Sequence, residues 1–562
     1  MKLLIYANGY ERHAELLLRK ISERVPVECG AGGLEIVFSV DAANGVTESY
    51  EILQNADRVT ILASDDLGLS HGIGKLLHTA IWNESGFVPS PPKGKQIPAS
   101  AFRAMYFSVH NYNWYHTATA RELELYLEDM VLWGYNAIHC IVPVMNIREI
   151  DDELFLSSVD KARRLYLLAR KLGMKTSLGI NPNQGIKNSP HEFDAVQTII
   201  PWKGGRNLCP SKPGTIDHLR TIWRAKFEKF LDIGLDYIHA WPYDEGGCCC
   251  PDCWPWGARK YGDVCNALHD EAMKYYPNAT YIVSTWCFDK LGERRGEYEG
   301  LYARLKTDMS WVDYLMVDAH DAYPDYVLTH EVIKPIVNFP EISMWGLYPW
   351  GGFGANPLPK RFQQIWDSSK RVLKGGMPYS EGLYEDIHKI QFAGYYWDPD
   401  RSYRDILAEY VNYEFSAEVI DQAIEIMELI EQNHVAGDDG TPISLAAAYR
   451  AKELAEEIDA KLSERAKKAW RWRVLYIRTL LDVKRYEFYC VRNMGGEEDR
   501  WTLRRRSAKF LERDEEAQAL MWELCEIYHT VDYNGENRWT HPPVNGGDVT
   551  DTLKVKLKEA DG

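Results

Sequence analysis

The chain reads as an α/β protein centred on a (β/α)8 TIM barrel, with a small α/β domain before it and an α-helical domain after it. Three observations predict this. Between residue 100 and about residue 390, strand-like apolar runs alternate with helical periodicity eight times, the count and span of a closed βα barrel. The stretch Pro89-Ser90-Pro91-Pro92-Lys93-Gly94-Lys95 is a proline-rich linker ahead of that region. After Trp397-Asp398-Pro399-Asp400 the strand signal ends and the pattern becomes helical. The expected divisions are therefore residues 1–95, 100–395 and 400–562. Periodicity alone leaves a doubly wound open sheet as the alternative to closure.

In the first unit, a strand at Lys2–Tyr6 precedes a helix with apolar spacing at Leu16, Leu17, Leu18 and Ile21. Strands follow at Leu34–Val40 and Val59–Ala63, then a helix from Gly68 to Trp82. The barrel strands are expected at Phe102–Val109, Ala137–Pro143, Lys175–Pro182, Tyr237–Glu245, Thr280–Phe288, Tyr314–Asp321, Ser343–Trp350 and Met377–Tyr384. Helical segments lie between them, at 119–133, 158–172, 214–232, 257–276 and 358–373. Gly134, Gly173, Gly234 and Gly375 are suited to left-handed helix ends. The C-terminal helices are expected at 402–415, 417–433, 443–487 and 504–530, and residues 532–562 read as a tail with little core.

At 562 residues the chain is long enough for roughly two to four domains. A net charge of −17 argues against nucleic acid and anionic membrane surfaces as partners. The N-terminal apolar run is too short for a signal h-region, and no stretch reaches membrane-span length, so a cytoplasmic protein is expected. Eleven cysteines, odd in number and unevenly clustered, do not form a secreted disulfide framework. The 19 Trp and 34 Tyr fit either large aromatic cores or flat platforms for the C–H faces of sugars.

The most informative stretch is 237–253, Tyr-Ile-His-Ala-Trp-Pro-Tyr-Asp-Glu-Gly-Gly-Cys-Cys-Cys-Pro-Asp-Cys. A short buried strand ends in adjacent carboxylates, Asp244 and Glu245, where the barrel mouth is expected. Two neighbouring carboxylates in different surroundings can hold different protonation states, as acid/base work on a glycosidic bond requires. Acid pairs also occur at Asp65-Asp66, Asp151-Asp152, Glu385-Asp386 and Glu497-Glu498, so position carries the argument. The other strand ends bring Arg103, His110, His139, Asn181, His239, Trp241, Tyr243, Trp286, Asp318, His320, Trp345, Tyr348, Trp350, Glu381 and Asp386 towards the same mouth. Arg103 could equally pair with a barrel acid, and His139 and His239 with core partners. Cys248, Cys250 and Cys253, with Cys209 from the preceding loop, have the spacing of a four-thiolate structural zinc site. Reduced, partly buried thiols are the alternative.

A Phe-Arg segment opening the barrel, an Asp-Glu pair ending its fourth strand, and tryptophans ending the fifth and seventh resemble the retaining hexosaminidases of glycoside hydrolase families 20 and 123. The helix entry Ser64-Asp65-Asp66-Leu67-Gly68-Leu69-Ser70-His71-Gly72-Ile73 is similar too, and the resemblance spans roughly residues 1–390. It departs from family 20 at Val109-His110, where an aspartate would be expected; the cysteine-rich tail of the acid pair looks closer to family 123. The resemblance implies substrate-assisted retention with no cofactor. Glu245 would be general acid and base, Asp244 would orient the acetamido N–H, and Tyr348 would hold the acetamido oxygen. Arg103, Asp318 and Glu381 would bind ring hydroxyls, between walls of Trp286, Trp345 and Trp350. The implied partner is an oligosaccharide or glycoconjugate ending in a 2-acetamido sugar, with a lean towards N-acetylgalactosamine; a homo-oligomer is compatible with the composition. Two other readings stand beside it: an exo-glycosidase of the α-glucuronidase type, pairing Glu245 with Glu381 or Asp386, and a non-catalytic glycan-binding protein.

Overall fold

Eight parallel strands close on themselves in the middle of the chain. The computed structural model describes residues 1–83, 86–109, 114–144, 147–196, 206–242, 246–289, 295–319, 322–343, 355–380, 386–435, 444–492 and 514–527. Strands are numbered in chain order. The barrel consists of β8 (Phe102–Phe107), β9 (Ala137–Ile141), β10 (Lys175–Ile180), β11 (Tyr237–Ala240), β12 (Thr280–Ser284), β13 (Tyr314–Ala319), β14 (Ile336–Ser343) and β15 (Leu373–Gly376). Each pairs with the next, and β15 returns to β8 through Gly375↔Phe102 and Gly376↔Arg103, so the sheet has no edge. The open-sheet alternative is thereby excluded.

Side chains alternate along each strand. Phe102, Ala104, Tyr106, Ala137, Ile141, Tyr237, Trp241, Ile282, Met316, Val337 and Phe339 fill the interior as one apolar cluster. The opposite phase, including Met105, Phe107, Ile138, Ile238 and Val283, packs against the surrounding helices. Two of those helices start where short polar side chains hold a free backbone N–H. Thr119 and Glu122 form a reciprocal box at the start of Ala120–Leu132, and Asp152 caps Glu153–Lys171.

Two sequence expectations shift. The seventh strand is β14, Ile336–Ser343, whereas it was expected at Ser343–Trp350; residues 344–350 lie outside the described set. Pro340 interrupts the apolar run and makes it read as non-strand, yet here it sits in register with Ala319. The eighth strand likewise begins earlier than Met377. Gly375, expected as a helix end, lies inside β15 with φ 132°, and a Cβ there would stand 2.0 Å from the Phe102 carbonyl oxygen. Only glycine lets the last strand approach the first closely enough to close the barrel. A short strand β16 (Tyr379–Ser380) continues it after a register shift and pairs with β14.

The N-terminal unit carries a five-stranded sheet in the order β2-β1-β3-β5-β4: β1 is Lys2–Tyr6, β2 Glu28–Cys29, β3 Leu34–Val40, β4 Tyr50–Asn55 and β5 Arg58–Ala63. The antiparallel β4 and the short β2 are additions to the expected elements. A two-stranded ribbon, β6 (Ile81–Asn83) with β7 (Gly86–Val88), leads towards the barrel. The helix Asp66–Thr79, capped by Asp65 on the Gly68 N–H, rests on the barrel helix Ala120–Leu132. At the crossing, a Cβ on Gly74 would lie 1.9 Å from the Leu132 carbonyl oxygen.

Beyond the barrel, the helices Tyr403–Glu414, Ile420–Val435, Leu445–Lys461, Glu464–Lys468, Trp470–Arg492 and Glu515–Ile527 share one apolar cluster with the barrel's outer layer, through Leu407, Ile424, Leu454, Trp472, Leu475 and Leu524. The expected tail at 532–562 lies outside the described residues, as do 504–513 of the last expected helix. Among the described residues, no helix is long and apolar enough to cross a membrane.

Candidate active site

The interior of the barrel becomes aromatic towards the C-terminal ends of its strands. Trp241, the first residue after β11, has its backbone tied to β10: its N–H donates to Ile180 O (2.9 Å) and its carbonyl accepts from Asn181 Nδ2 (3.0 Å). Its indole packs edge-on against Phe339 (ring centroids 4.5 Å), Trp286 (6.0 Å) and Tyr106 (6.0 Å). Tyr379 joins against Tyr106 at 4.7 Å and Phe339 at 5.1 Å. These five rings make a dry floor across the barrel, with Trp286 the expected wall residue among them. An aromatic floor of this kind presents flat faces to sugar C–H groups and lowers the dielectric around any acid above it.

Beneath the floor sits a polar layer. His139 Nδ1 is 2.8 Å from Ser177 Oγ, and its ring lies 5.2 Å from that of His239. Neither ring nitrogen of His239 has a protein partner among the described residues, and burial pushes its pKa down to about 3. His239 is therefore a neutral imidazole at any working pH.

Asp318, fully buried on β13, shares the strand phase of Tyr314 and Met316, whose side chains belong to the interior cluster. Together with burial, its charge raises the phenol pKa of Tyr298. The acid pair follows directly on this scaffold in sequence, three and four residues after Trp241. Asp244 and Glu245 themselves lie outside the described residues, as do His110, Tyr243, His320, Trp345, Tyr348, Trp350 and Glu381. Of the residues expected to bind substrate at the mouth, the structure places Trp286 and Asp318 in the barrel interior.

The Gly246 carbonyl accepts from Asn207 Nδ2 (3.1 Å), while the Cys249 N–H donates to Val196 O (3.3 Å). This docks the loop after β11 on the loop after β10. It brings the sulfur atoms of Cys209, Cys248, Cys250 and Cys253 within 4.8 Å of one another.

Two expected site residues belong elsewhere. Arg103 is the second residue of β8, at the N-terminal end of the barrel, away from the mouth, and its phase points outward. Its guanidinium pairs with Glu48 of the N-terminal unit and donates to Gly134 O (2.7 Å) and Ser100 O (2.5 Å). It also lies over the Trp397 ring at 5.3 Å. Burial would raise the Glu48 carboxyl, but Arg103, His71 and Asn136 hold it below its ordinary range. Arg103 therefore joins two parts of the chain, and a role in binding ring hydroxyls is withdrawn. Asp386 opens the helix Asp386–Trp397 and accepts from Arg471 Nε (2.8 Å) and Tyr126 Oη (3.3 Å). Arg471 also reaches Asp129 and Glu414. Burial opposes ionisation of Asp129, yet Lys20 and Arg471 hold its pKa down at about 2. Asp386 is thus bound into a buried ion network and is not free to serve as a second catalytic acid.

No family model matches the chain, and no curated protein matches it either. Solved structures do. A family 89 glycoside hydrolase from Clostridium perfringens, in complex with its substrate GlcNAc-α-1,4-galactose, superposes with TM-score 0.60 at 11% identity, over 92% of this chain and 65% of that one. A family 115 4-O-methyl-α-glucuronidase with specificity for decorated arabinogalactans gives 0.59 at 11% identity, over 97% and 79%. A family 138 enzyme targeting pectin rhamnogalacturonan II gives 0.55 at 12%, over 100% and 98%. The chain has the barrel fold of these glycoside hydrolases. Within that fold, sequence reasoning missed Tyr106, Phe339 and Tyr379 as floor residues. The alternation Phe102-Ala104-Tyr106 could have found the first. Phe339 was hidden beside Pro340, and Tyr379 by the register shift after β15.

Proposed function

We propose that the chain is an exo-acting retaining glycoside hydrolase that releases terminal β-linked N-acetylhexosamine, N-acetylgalactosamine in preference. The observation that carries this reading is the five-ring floor of a closed barrel, with Asp244 and Glu245 following its fourth strand in sequence. An acid above a dry aromatic surface has its ionised form disfavoured, which suits Glu245 to donate a proton near neutral pH. In the first step the substrate's acetamido oxygen attacks the anomeric carbon as the glycosidic C–O bond breaks. The departing oxygen takes its proton from Glu245, and an oxazolinium ring forms with no enzyme nucleophile. Asp244 stays ionised, accepts the acetamido N–H and offsets the positive charge. In the second step Glu245, now a carboxylate, removes a proton from the water that opens the ring.

A panel of p-nitrophenyl 2-acetamido glycosides tests this directly. Turnover of the β-linked 2-acetamido substrates, with inhibition by a thiazoline mimic of the oxazoline, supports it; turnover of sugars lacking the acetamido group at equal rate sinks it. A second reading, an exo-glycosidase of the α-glucuronidase type, has its support in the family 115 4-O-methyl-α-glucuronidase, whose likeness extends over 97% of this chain. It predicts cleavage of α-uronides untouched by the thiazoline. With Asp386 bound to Arg471, that route would leave Glu381 as partner to Glu245. No turnover on either class would favour a glycan-binding protein.

A further inference from the structure

We infer that Cys209, Cys248, Cys250 and Cys253 hold one structural zinc ion, which clamps the loop carrying the acid pair to its neighbour. The strongest support is metric. A tetrahedral ion with metal–sulfur bonds of about 2.3 Å places its sulfur atoms about 3.8 Å apart. Cys209 Sγ lies 3.8 Å from Cys250 Sγ and 3.8 Å from Cys253 Sγ, and all four sulfurs fall within 4.8 Å of one another. A disulfide would bring one pair to about 2.05 Å and leave the other two thiols without a purpose; all four thiols are free. A cluster of several metal ions would hold its thiolates farther apart than this.

The surroundings fit a thiolate site. Four thiolates around a divalent ion carry net negative charge, which nearby donors must offset. The Val196 N–H (3.3 Å) and the Cys250 N–H (3.5 Å) both point at Cys248 Sγ, and the Ser211 hydroxyl is 3.1 Å from Cys253 Sγ. The backbone from Cys250 to Trp254 folds into a tight turn, with the N–H groups of Cys253 and Trp254 both on Cys250 O at 3.0 Å. Such a turn lets Cys250 and Cys253 face one ion. Cys209, Cys248 and Cys253 are buried and Cys250 is partly so. Four protein ligands leave no position for water or substrate, so the ion is structural.

The consequence for the mouth follows from connectivity. Cys209 is anchored through its N–H to Phe193 O (2.7 Å), and Leu208 through its own to Asn183 O (2.8 Å), so the cysteine ligand contributed by the loop after β10 is itself tied down. With the ion in place, the segment bearing Asp244 and Glu245 is pinned at Trp241 on one side and by the metal, a few residues on, at the other. The clamp is independent of which sugar the site accepts.

The test uses the full chain, produced in zinc-supplemented medium and purified without metal-chelating resin, with elemental analysis as readout. About one zinc per chain is expected, falling to about a tenth or less in Cys209→Ser and Cys253→Ser. Cys140→Ser, a buried thiol outside the cluster, should keep its zinc. Should the ligand variants fail to fold, stripping the wild-type protein and refilling it with cobalt(II) gives a second measurement. The intense visible bands of a tetrahedral cobalt tetrathiolate are expected, with sulfur-to-metal charge transfer in the near ultraviolet. A folded wild-type protein free of zinc, full zinc retention in Cys209→Ser, a cobalt spectrum without thiolate bands, or a disulfide mapped among the four would each overturn the assignment. None of these readouts depends on glycosidase activity.

Discussion

Replacing Arg103 by methionine separates its structural role from any role at the mouth. The variant keeps the side chain's length and apolar stem but strands the buried Glu48 carboxylate, for which Asn136 Nδ2 (3.0 Å) is the remaining partner among the described residues. Breaking a buried ion pair from one side costs about 3–5 kcal/mol, because the remaining charge has lost its partner. The loss of two bonds to carbonyls, at Gly134 and Ser100, falls within the same range and does not simply add. Neutralising the stranded group in Arg103→Met/Glu48→Gln should recover about half of the loss, since no buried charge is then left unpaired. Urea denaturation followed by far-ultraviolet circular dichroism, for wild type and both variants, reads these differences. The gap between wild type and Arg103→Met should also narrow towards pH 4, where the stranded carboxyl takes up a proton. The KM of the folded fraction should not change. A loss below about 1 kcal/mol, or a raised KM at undiminished stability, would refute the placement of Arg103 away from the mouth.

Burial holds His239 near a pKa of 3 and His388 near 4; for His71, burial and then Arg103 hold it near 4. Unfolded, each would titrate near 6.5, so between about pH 6.5 and 4 the unfolded chain binds more protons and stability falls as pH falls. Around pH 5 the three together should contribute a slope of about 4 kcal/mol per pH unit, and His239→Leu should remove about a third of it; an unchanged slope in denaturant midpoints would contradict the assignment. Gly375→Ala should lose about 3 kcal/mol or more, because it forces a Cβ onto the Phe102 carbonyl in a left-handed conformation, and a thermal midpoint equal to wild type would show that the barrel seam relaxes freely. Glu245→Gln should slow hydrolysis by about 10²-fold or more on poor leaving groups, with a smaller effect on activated aryl glycosides; an equal loss across leaving groups would argue against a proton donor at this position.

The barrel was legible because its signal is repetitive. Leu34–Val40 and Lys2–Tyr6 were read to the residue, and Gly134 and Gly173 end their helices in the left-handed form, with φ of 105° and 78°; Gly234 is also left-handed (φ 80°), but its helix already ends at Glu228. The failures have local causes. Pro340 disguised β14: it is the fifth of that strand's eight residues, at the point where the pairing with β13 ends, Ala319↔Pro340. Gly375 looked like a helix end because a sequence does not distinguish a glycine needed for its φ from one needed for a close approach. Arg103 looked like a ligand of ring hydroxyls and Asp386 like a second catalytic carboxylate because position along a strand says nothing about the partner waiting across space. Glu48 is 55 residues from Arg103, and Arg471 is 85 from Asp386. The cysteine cluster, in contrast, was readable because three of its four members lie within six consecutive residues, 248 to 253.

The helices from Tyr403 to Arg492 contribute Leu407, Ile424, Leu454 and Trp472 to the same apolar mass that backs the barrel helices. They are masonry shared between two rooms. Anyone seeking a minimal catalytic fragment by trimming the chain near residue 400 would bare that wall to water, and should expect inclusion bodies where a compact barrel was hoped for. Grafting a foreign mouth onto this scaffold, by the same reasoning, means importing loops and leaving the far helices where they stand.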